Sequence, residues 1–381
     1  MYIMGINLMN FRNYDCISLE FHKKLNVFYG MNAQGKTNII ESLYVGGFGK
    51  SFRTSNDRDM IMMGEENAAL RIKFFCRGRE QKIDLRWREK GKKEIRVNES
   101  SLEKLSDIFG KMNVVIFSPE DLKLVKEGPS ERRRFMNREI SHISPGYYHH
   151  LLQYNRILSQ RNNLLRQNKY NNISMDLLDV LDEQLAIEGS RIIEKRNIFI
   201  KRLNTISRLK HRKITGNKEN IEVLYKANIK NEEENDAEKK KNIFIETMKK
   251  RREQDLERGY TTCGPHKDDL SITINGIDVR NFGSQGQQRT AVLSLKLSEI
   301  EIVKAETGEY PILLLDDVMS ELDESRQMEL IKSLRNVQIF VTMTEIPELL
   351  KEDIKDGRIF YVDGGRAMEK NKRGMPPAVK R

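Results

Sequence analysis

The stretch Gly30-Met31-Asn32-Ala33-Gln34-Gly35-Lys36-Thr37 reads G-x-x-x-x-G-K-T, and it decides the fold. The run Leu25–Tyr29 before it is apolar and favours a buried strand, whereas residues 38–43 after it favour a helix. Glycines let the backbone curl so that successive N–H groups point at one phosphate, and a helix N-terminus adds partial positive charge. The pattern therefore predicts a phosphate-binding loop; the alternative is a glycine turn that a lysine happens to follow.

The residues of this loop have distinct expected roles in binding ATP. The Lys36 ammonium reaches the β- and γ-phosphates, and the Thr37 hydroxyl is a ligand for Mg²⁺. ATP and Mg²⁺ are thus the predicted cofactors. The candidate nucleotide-binding residues in and just after the loop are Gly30, Asn32, Ala33, Gln34, Gly35, Lys36, Thr37 and Asn38.

A second motif, which is acidic, lies far along the chain. The apolar run Ile312–Leu315 predicts a buried strand, and Asp316 and Asp317 follow directly. This is the Walker B pattern, in which Asp316 holds Mg²⁺ while Asp317 orients and deprotonates the attacking water. The candidate catalytic residues are Asp317 and Lys36. The alternative is a strand that ends in an ordinary acidic turn.

A third motif precedes a long predicted helix at residues 291–304. It contains Ser284, Gln285, Gly286, Gln287 and Gln288 and resembles the signature motif of ABC-type ATPases. That resemblance implies that the motif binds the γ-phosphate held by another subunit, since a hydroxyl, a glycine and free N–H groups form an anion site. Ser284 is equally suited to cap the helix, and both roles are compatible.

Composition limits the possible partners and location. The 381 residues include 32% charged side chains and carry a net charge of +11, which favours a polyanion as partner, although general solubility explains it too. No apolar run has membrane-spanning length, so no membrane partner is expected. The N-terminus lacks signal-peptide features. Cys16, Cys76 and Cys263 have no paired spacing. We expect a cytoplasmic, nucleoid-associated protein.

Element patterns predict two lobes. Residues 1–120 and 259–370 form an ATPase domain, lobe I, with antiparallel strands near residues 69–75, 81–87 and 93–98. Residues 121–258 form an inserted, mainly helical lobe II, with a long amphipathic helix over 176–213. Residues 371–381 form a basic tail. We expect a hairpin that joins 271–274 to 277–279, and a flexible loop at Gly46-Gly47-Phe48-Gly49.

Six motifs are spread from one end of the chain to the other. They are Ile6-x-Leu8-x-x-Phe11-Arg12-Asn13-Tyr14, Gly30-x-Asn32-x-x-Gly35-Lys36-Thr37, Phe117-Ser118-Pro119-Glu120-Asp121, Gly264-Pro265-His266-Lys267-Asp268-Asp269, Ser284-Gln285-Gly286-Gln287-Gln288-Arg289 and Leu315-Asp316-Asp317-Val318. Together they resemble the motifs of the RecF family of bacterial recombination-repair proteins. This resemblance adds Arg12 and Asn13 to the candidate nucleotide-binding residues. It also assigns Ser320 and Asp323 to a D-loop, which resembles that of ABC-type ATPases.

The resemblance implies an α/β fold: an ABC-type P-loop ATPase head with a mixed sheet and an inserted helical lobe, related to SMC heads but without their long coiled coil. Only 246 residues separate Thr37 from Ser284, too few for such arms. It implies an ATP-dependent homodimer on double-stranded, single-stranded and gapped DNA, with weak DNA-dependent ATPase activity. It further implies that the protein acts with RecR and RecO to load RecA, in replication restart and the SOS response.

Two departures from the wider ABC pattern favour weak turnover. The second Walker B carboxylate is Asp317 instead of a glutamate, and Thr342 and Thr344 stand where many ABC proteins carry a histidine. The alternative functions are a transporter-type ATPase subunit and an ATP-binding scaffold with negligible hydrolysis. Basic clusters are candidate DNA contacts, with a solvated helix face as the alternative for each: Arg132, Arg133, Arg134, Lys249, Lys250, Arg251 and Arg252.

Overall fold

The protein forms two compact units, Met1–Glu120 with Val303–Arg381, and Asp121–Ile302. This computed structural model describes residues 1–168, 173–230, 236–319, 336–346 and 356–370. The first boundary lies where the sequence predicts it. The second lies 44 residues later than predicted (302 instead of 258), so residues 259–302 group with the helical unit. The reason is that Leu270, Ile272 and Ile274 are buried in the core of that unit.

The first unit begins with strands and one helix. These are β1 (Tyr2–Phe11), β2 (Tyr14–Glu20), β3 (Leu25–Tyr29), α1 (Lys36–Phe48), β4 (Asn67–Cys76), β5 (Arg79–Arg88), β6 (Glu94–Val97), β7 (Ser100–Ser101) and β8 (Val114–Phe117). One antiparallel sheet has the order β2-β1-β4-β5-β6-β7. Its strands alternate buried and exposed residues, which is typical of a sheet with one solvated face. The predicted antiparallel strands are confirmed.

The second unit is mainly helical. Its elements are α2 (Lys123–Lys126), α3 (Pro129–Ile143), α4 (Pro145–Gln167), α5 (Met175–Ile214), β9 (Ile221–Lys226), α6 (Ala237–Lys250), α7 (Arg252–Arg258), β10 (Asp269–Ile274), β11 (Ile277–Asp278), α8 (Val279–Phe282) and α9 (Gln285–Thr307), which crosses into the first unit. The 40-residue helix α5 packs against α4, α6 and β9. The small sheet has the order β11-β10-β9.

The remaining strands complete the sheet that positions the site. They are β12 (Ile312–Leu315), β13 (Ile339–Met343), β14 (Gly357–Asp363) and β15 (Arg366–Glu369). The sheet order is β15-β14-β3-β13-β12-β8, with only β15 antiparallel to its neighbour. The strand β12 is fully buried, as expected of a parallel strand that is covered on both faces. The carboxyl ends of β3, β12 and β13 therefore meet at one edge.

Two local predictions are wrong. Gly46, Gly47 and Phe48 continue α1, and only Gly49 leaves it, with φ of 64°. Close packing favours glycine here, because a Cβ at Gly47 would lie 2.9 Å from the Met112 carbonyl oxygen and one at Gly46 would lie 2.3 Å from Ile72 Cδ1. Val279 begins a short helix instead of ending the hairpin, because Asp278 caps that helix through the N–H of Asn281.

Candidate nucleotide-binding site

The predicted phosphate loop connects β3 to α1. Gly35 immediately precedes α1 with φ of 116°, a conformation that L side chains rarely adopt. A Cβ at Gly35 would lie 2.6 Å from Asn13 Nδ2, and one at Gly30 would lie 2.3 Å from the Val362 carbonyl oxygen. Both glycines are therefore required by close approach, and the first N–H groups of α1 have no acceptor within the helix, which makes its start a favourable place for an anion.

The Lys36 side chain lies inside the curl of the loop. Its ammonium is buried and donates to the carbonyl oxygens of Gly30 at 2.7 Å and Met31 at 2.8 Å. Burial lowers the pKa of Lys36, and the nearby carboxylates of Asp317 and Asp316 partly oppose that shift. The cation is thus held beside the N-terminus of α1, where an anion binds most favourably.

The first Walker B carboxylate meets the end of the phosphate loop. Asp316 Oδ1 accepts hydrogen bonds from Thr37 Oγ1 and from Thr342 Oγ1, both at 2.9 Å. Parallel pairing places Leu315 beside Val341, so the next residues along the two strands lie side by side. Burial raises the pKa of Asp316, and the two hydroxyls oppose this shift. Two oxygen donors from distant segments, a hydroxyl and a carboxylate, therefore lie at one point, and these are ligands that Mg²⁺ prefers.

The second Walker B carboxylate is exposed and conformationally constrained. Asp317 has φ of 54°, in the left-handed region that few non-glycine residues adopt. Its backbone N–H donates to Thr342 Oγ1 at 2.9 Å. One threonine hydroxyl thus contacts both acidic residues. The sequence indicated Thr342 only as a departure from the usual histidine, and its hydrogen bonds to the two aspartates were not predicted.

The turn between β1 and β2 contacts the phosphate loop from the side. Asn13 Nδ2 donates to the Gln34 carbonyl at 3.1 Å, and Asn13 Oδ1 accepts from Asn38 Nδ2 at 2.8 Å. Gln34 Oε1 in turn accepts from the Gly364 N–H at 2.8 Å. Tyr14 OH donates to the Gly35 carbonyl. These contacts fix the loop between three segments. Asn32 and Ala33 are exposed at its tip.

The predicted nucleotide contact Arg12 binds a buried acid that sequence reasoning missed. The fully buried Glu41, on α1, accepts two hydrogen bonds from the Arg12 guanidinium, at 2.6 and 2.9 Å. Arg53 Nη1 donates to Glu41 Oε2 at 3.3 Å and to Asn38 Oδ1 at 2.8 Å. Nothing in the sequence spacing links these residues, because Arg12 and Arg53 approach α1 from different segments.

The signature residues belong to the second unit. Ser284 Oγ accepts from the Gln287 N–H at 3.2 Å, and Gln287 Oε1 accepts from the Ser284 N–H at 3.0 Å, a reciprocal capping box at the start of α9. Gln287 also donates to Glu219, and Gln288 donates to the Val279 carbonyl. The helix begins at Gln285, six residues earlier than predicted. Ser320 and Asp323 lie outside the described residues.

The structure separates the members of each predicted DNA-contact cluster. Arg132 is only 5% exposed, and its guanidinium binds both carboxylate oxygens of Asp269, at 2.6 and 3.0 Å. The prediction that Arg132 contacts DNA is corrected, since its charge serves an internal ion pair. Arg133 is partly buried and donates to the Asp268 carbonyl, whereas Arg134 is exposed.

In the second cluster, Lys249 and Lys250 are exposed. Arg251 donates to the Thr262 carbonyl at 3.3 Å. Arg252 forms ion pairs with Asp179 and Asp182 on α5. The two lysines therefore remain surface cations, while the arginines connect α7 to its neighbours.

The motif that contains His266 and Asp268 organises the interior of the second unit. Asp268 is fully buried and accepts from Arg196 Nη1 at 2.8 Å, from the Asn228 N–H at 2.8 Å and from Tyr225 OH. His266 Nε2 contacts the Thr261 carbonyl at 3.1 Å, which requires Nε2–H, so Nδ1 accepts from Tyr154 OH at 2.7 Å. Burial lowers the pKa of His266 to about 4. This motif therefore stabilises the fold.

With this geometry established, comparisons identify the family. Residues 2–362 match the family model of the RecF/RecN/SMC N terminal domain. A DNA replication and repair protein RecF from Alkaliphilus oremlandii is 50% identical over 366 residues, which cover 96% of this chain and 100% of that relative. The chain belongs to the RecF family. The resemblance of its motifs to RecF is therefore confirmed, as is the expectation of a replication and repair protein.

Solved structures confirm the predicted fold. A RecF structure described as RecF-ATP in the RecFOR pathway is 38% identical, with a TM-score of 0.90, and the match covers 97% of this chain and 98% of that RecF chain. An SMC head domain from Pyrococcus furiosus, with an extended coiled coil, is 18% identical with a TM-score of 0.54, over 97% of this chain and 96% of that one. The latter shows a shared fold alone. Among the described residues of this RecF-family chain, none of the helices is long and apolar enough to cross a membrane.

Proposed function

We propose that this RecF-family protein is an ATP-switched DNA clamp of recombinational repair and replication restart, with weak DNA-stimulated ATPase activity. One observation carries the proposal: Thr37 Oγ1 and Asp316 Oδ1 meet at 2.9 Å beside the N-terminus of α1 and the Lys36 ammonium. A phosphate cradle and a pair of oxygen ligands for a divalent cation are thus in one place. The ATP-bound state of the solved RecF relative supports the same ligand.

Each residue of the site has a role in this proposal. Lys36 and the N–H groups at the start of α1 bind the β- and γ-phosphates, and Thr37 and Asp316 hold Mg²⁺. Mg²⁺ supplies neutralisation of the charge on the phosphates. The exposed carboxylate of Asp317 orients the attacking water and accepts its proton. Gly30 and Gly35 allow the backbone to approach the phosphates closely.

Slow hydrolysis follows from two features of the site. Asp317 reaches one methylene less far than a glutamate, and its backbone is held by Thr342. Thr342 cannot take up a proton as histidine does. A site of this kind holds ATP and converts it only slowly to ADP and phosphate, which suits a switch whose output is a conformational state.

We propose that two copies complete each site. In ABC-type heads the signature motif of one chain contacts the γ-phosphate bound by the other, and here Ser284 stands at the N-terminus of α9, which it caps through the N–H of Gln287. ATP would then join two chains and ADP would not, because only a ligand that contacts the dimer better shifts the equilibrium. Double-stranded, single-stranded and gapped DNA, RecO, RecR and RecA are the proposed partners, in repair and the SOS response.

Replacement of Asp317 by Asn tests this function. The change keeps the shape of the side chain and removes the base, so ATP binding should persist while hydrolysis falls by about 10²-fold or more. ATP-dependent complexes with DNA should live longer. Asp317→Glu is the matched control, since it keeps the carboxylate and should retain measurable turnover. Normal ATP hydrolysis by the Asn variant would place the base elsewhere.

A further inference from the structure

The second half of helix α5 has an unusual charge distribution. Between Lys195 and Ile214 it contains eight basic residues, and no acidic residue follows until Glu219. The first half is opposite in character, with six acidic residues and only Arg191 as a base. The eight basic residues are Lys195, Arg196, Lys201, Arg202, Arg208, Lys210, Arg212 and Lys213.

Most of these cations lie on one side of the helix. The opposite side is buried and carries Phe199, Ile200 and Leu203. Six of the eight basic residues are exposed. At about 100° per residue they fall within an arc of roughly 140° that extends about 27 Å along the axis. We call this set the basic α5 face: Lys195, Lys201, Arg202, Arg208, Arg212 and Lys213.

The basic α5 face consists of two rows of cations. Lys201, Arg208 and Arg212 form one row, and Lys195, Arg202 and Lys213 form the other. Between them runs an uncharged row of exposed side chains, Ile198, Thr205 and Leu209. The rows lie about 110° apart, so on a helix that is about 10–12 Å across with its side chains they are separated by roughly 8–10 Å. A helix with cations on both flanks fits the B-DNA major groove, which is about 12 Å wide and has a phosphate backbone on each side.

Simpler explanations of this charge are insufficient. The helix dipole favours cations only in the last turn, whereas these cations extend over about five turns. Several basic residues elsewhere in this unit do have acidic partners: Lys240 pairs with Glu194, and Lys241 pairs with Glu238. Within the described ranges, Lys195, Lys201 and Arg208 have no such partner.

We propose that the basic α5 face binds the backbone of double-stranded DNA, with one row of cations on each side of a groove. This inference rests on the proposed DNA-clamp function and adds the surface that the clamp uses. The face is long enough to follow about eight base pairs, at 3.4 Å per pair. Duplex DNA is favoured over an acidic protein because the cations lie in two rows on the flanks of one helix, and the major groove admits a helix with a phosphate backbone on each side.

The test is the salt dependence of binding to a 20-base-pair duplex, measured by fluorescence anisotropy. One variant replaces Lys195, Lys201, Arg202 and Arg208 by Gln, which keeps helix propensity and removes four charges. If all four contact phosphates, the slope of log K against log salt concentration should flatten by about 3.6, at 0.9 per phosphate. The matched control replaces four exposed lysines that lie outside the basic α5 face, Lys23, Lys90, Lys92 and Lys111, by Gln, and should keep the wild-type slope.

The outcomes distinguish this surface from the proposed function. An unchanged slope in the α5 variant, with tight wild-type binding, would overturn the surface and leave the function standing. Absence of any wild-type binding to DNA would overturn both. If polyglutamate displaced the labelled duplex as effectively as unlabelled DNA of equal charge does, the face would be a surface for acidic proteins and the proposal would be overturned. If the quadruple variant does not fold, the double variants K201Q/R208Q and K195Q/R202Q apply the same test row by row, with flattening by about 1.8 each.

Discussion

The Thr342 hydroxyl connects the two Walker B aspartates, and Thr342→Val removes it while keeping the shape of the side chain. Asp316 Oδ1 would retain only its hydrogen bond from Thr37, at 2.9 Å. The Asp317 N–H would lose its acceptor. Burial already raises the pKa of Asp316, so loss of a donor should raise it further. The variant should therefore be less stable and slower in ATP hydrolysis.

The size of the effect follows from the bonds that are lost. A hydrogen bond to a buried carboxylate contributes about 1.5–3 kcal/mol to the free energy of unfolding. The hydrogen bond of the Asp317 N–H adds little, because Asp317 is exposed and water can replace the lost hydroxyl. We expect a loss of about 2–3 kcal/mol. For a unit of this size, each kcal/mol lowers the melting temperature by about 2–4 °C, so the first unit should melt roughly 4–12 °C lower.

Differential scanning calorimetry of the wild type, Thr342→Val and Thr342→Ser measures this effect. The Ser variant keeps both hydrogen bonds and loses one methyl group, at a cost of about 1 kcal/mol. The Ser variant should therefore melt between the wild type and the Val variant. Its ATP affinity should also be closer to that of the wild type than the affinity of the Val variant is. A Val variant that melts within about 1 °C of wild type, or above the Ser variant, would refute the assigned role of the hydroxyl.

Two further predictions concern single residues. Lys36→Met removes a charge-assisted hydrogen bond to the phosphates, so calorimetric ATP affinity should fall by about 1.5–3 kcal/mol, or roughly 10- to 150-fold; equal affinity would contradict the phosphate-loop assignment. The pKa of His266 is about 4 in the folded protein, because of burial, and near 6.5 when unfolded. Its stabilising contribution is present above pH 6.5 and is lost as pH falls toward 4, by roughly 3 kcal/mol, and urea unfolding of His266→Gln should show a weaker dependence on pH in that window.

Local motifs made the core of the site predictable from sequence. Residues 30–37 contain the loop and the start of its helix in one stretch, and Ile312–Leu315 with Asp316 is a strand with its own terminal acid. Each motif carries its structural context within about ten residues. The two motifs come together at Thr37 and Asp316 because β3 and β12 are parallel strands of one sheet, each paired with β13.

Contacts between distant segments were not predictable in this way. Arg132 stands in a run of three arginines that resembles a surface patch, but its partner Asp269 is 137 residues away. Glu41 lies on a helix with no special spacing, and its burial depends on arginines from two other segments. The glycines at 46 and 47 resemble a loop in sequence, whereas in the structure they continue α1 and pack closely against Ile72 and Met112.

The central claim is that ATP joins two chains through a site that each completes for the other. Static light scattering of the wild type with Mg²⁺ and either ATP or ADP tests it most directly. The chain has a mass of 44.6 kDa, so the account predicts a shift toward twice that value, about 89 kDa, with ATP and not with ADP. Ser284→Arg should remain at the monomer mass while still binding ATP. An unchanged mass with ATP, with and without duplex DNA, would contradict the account.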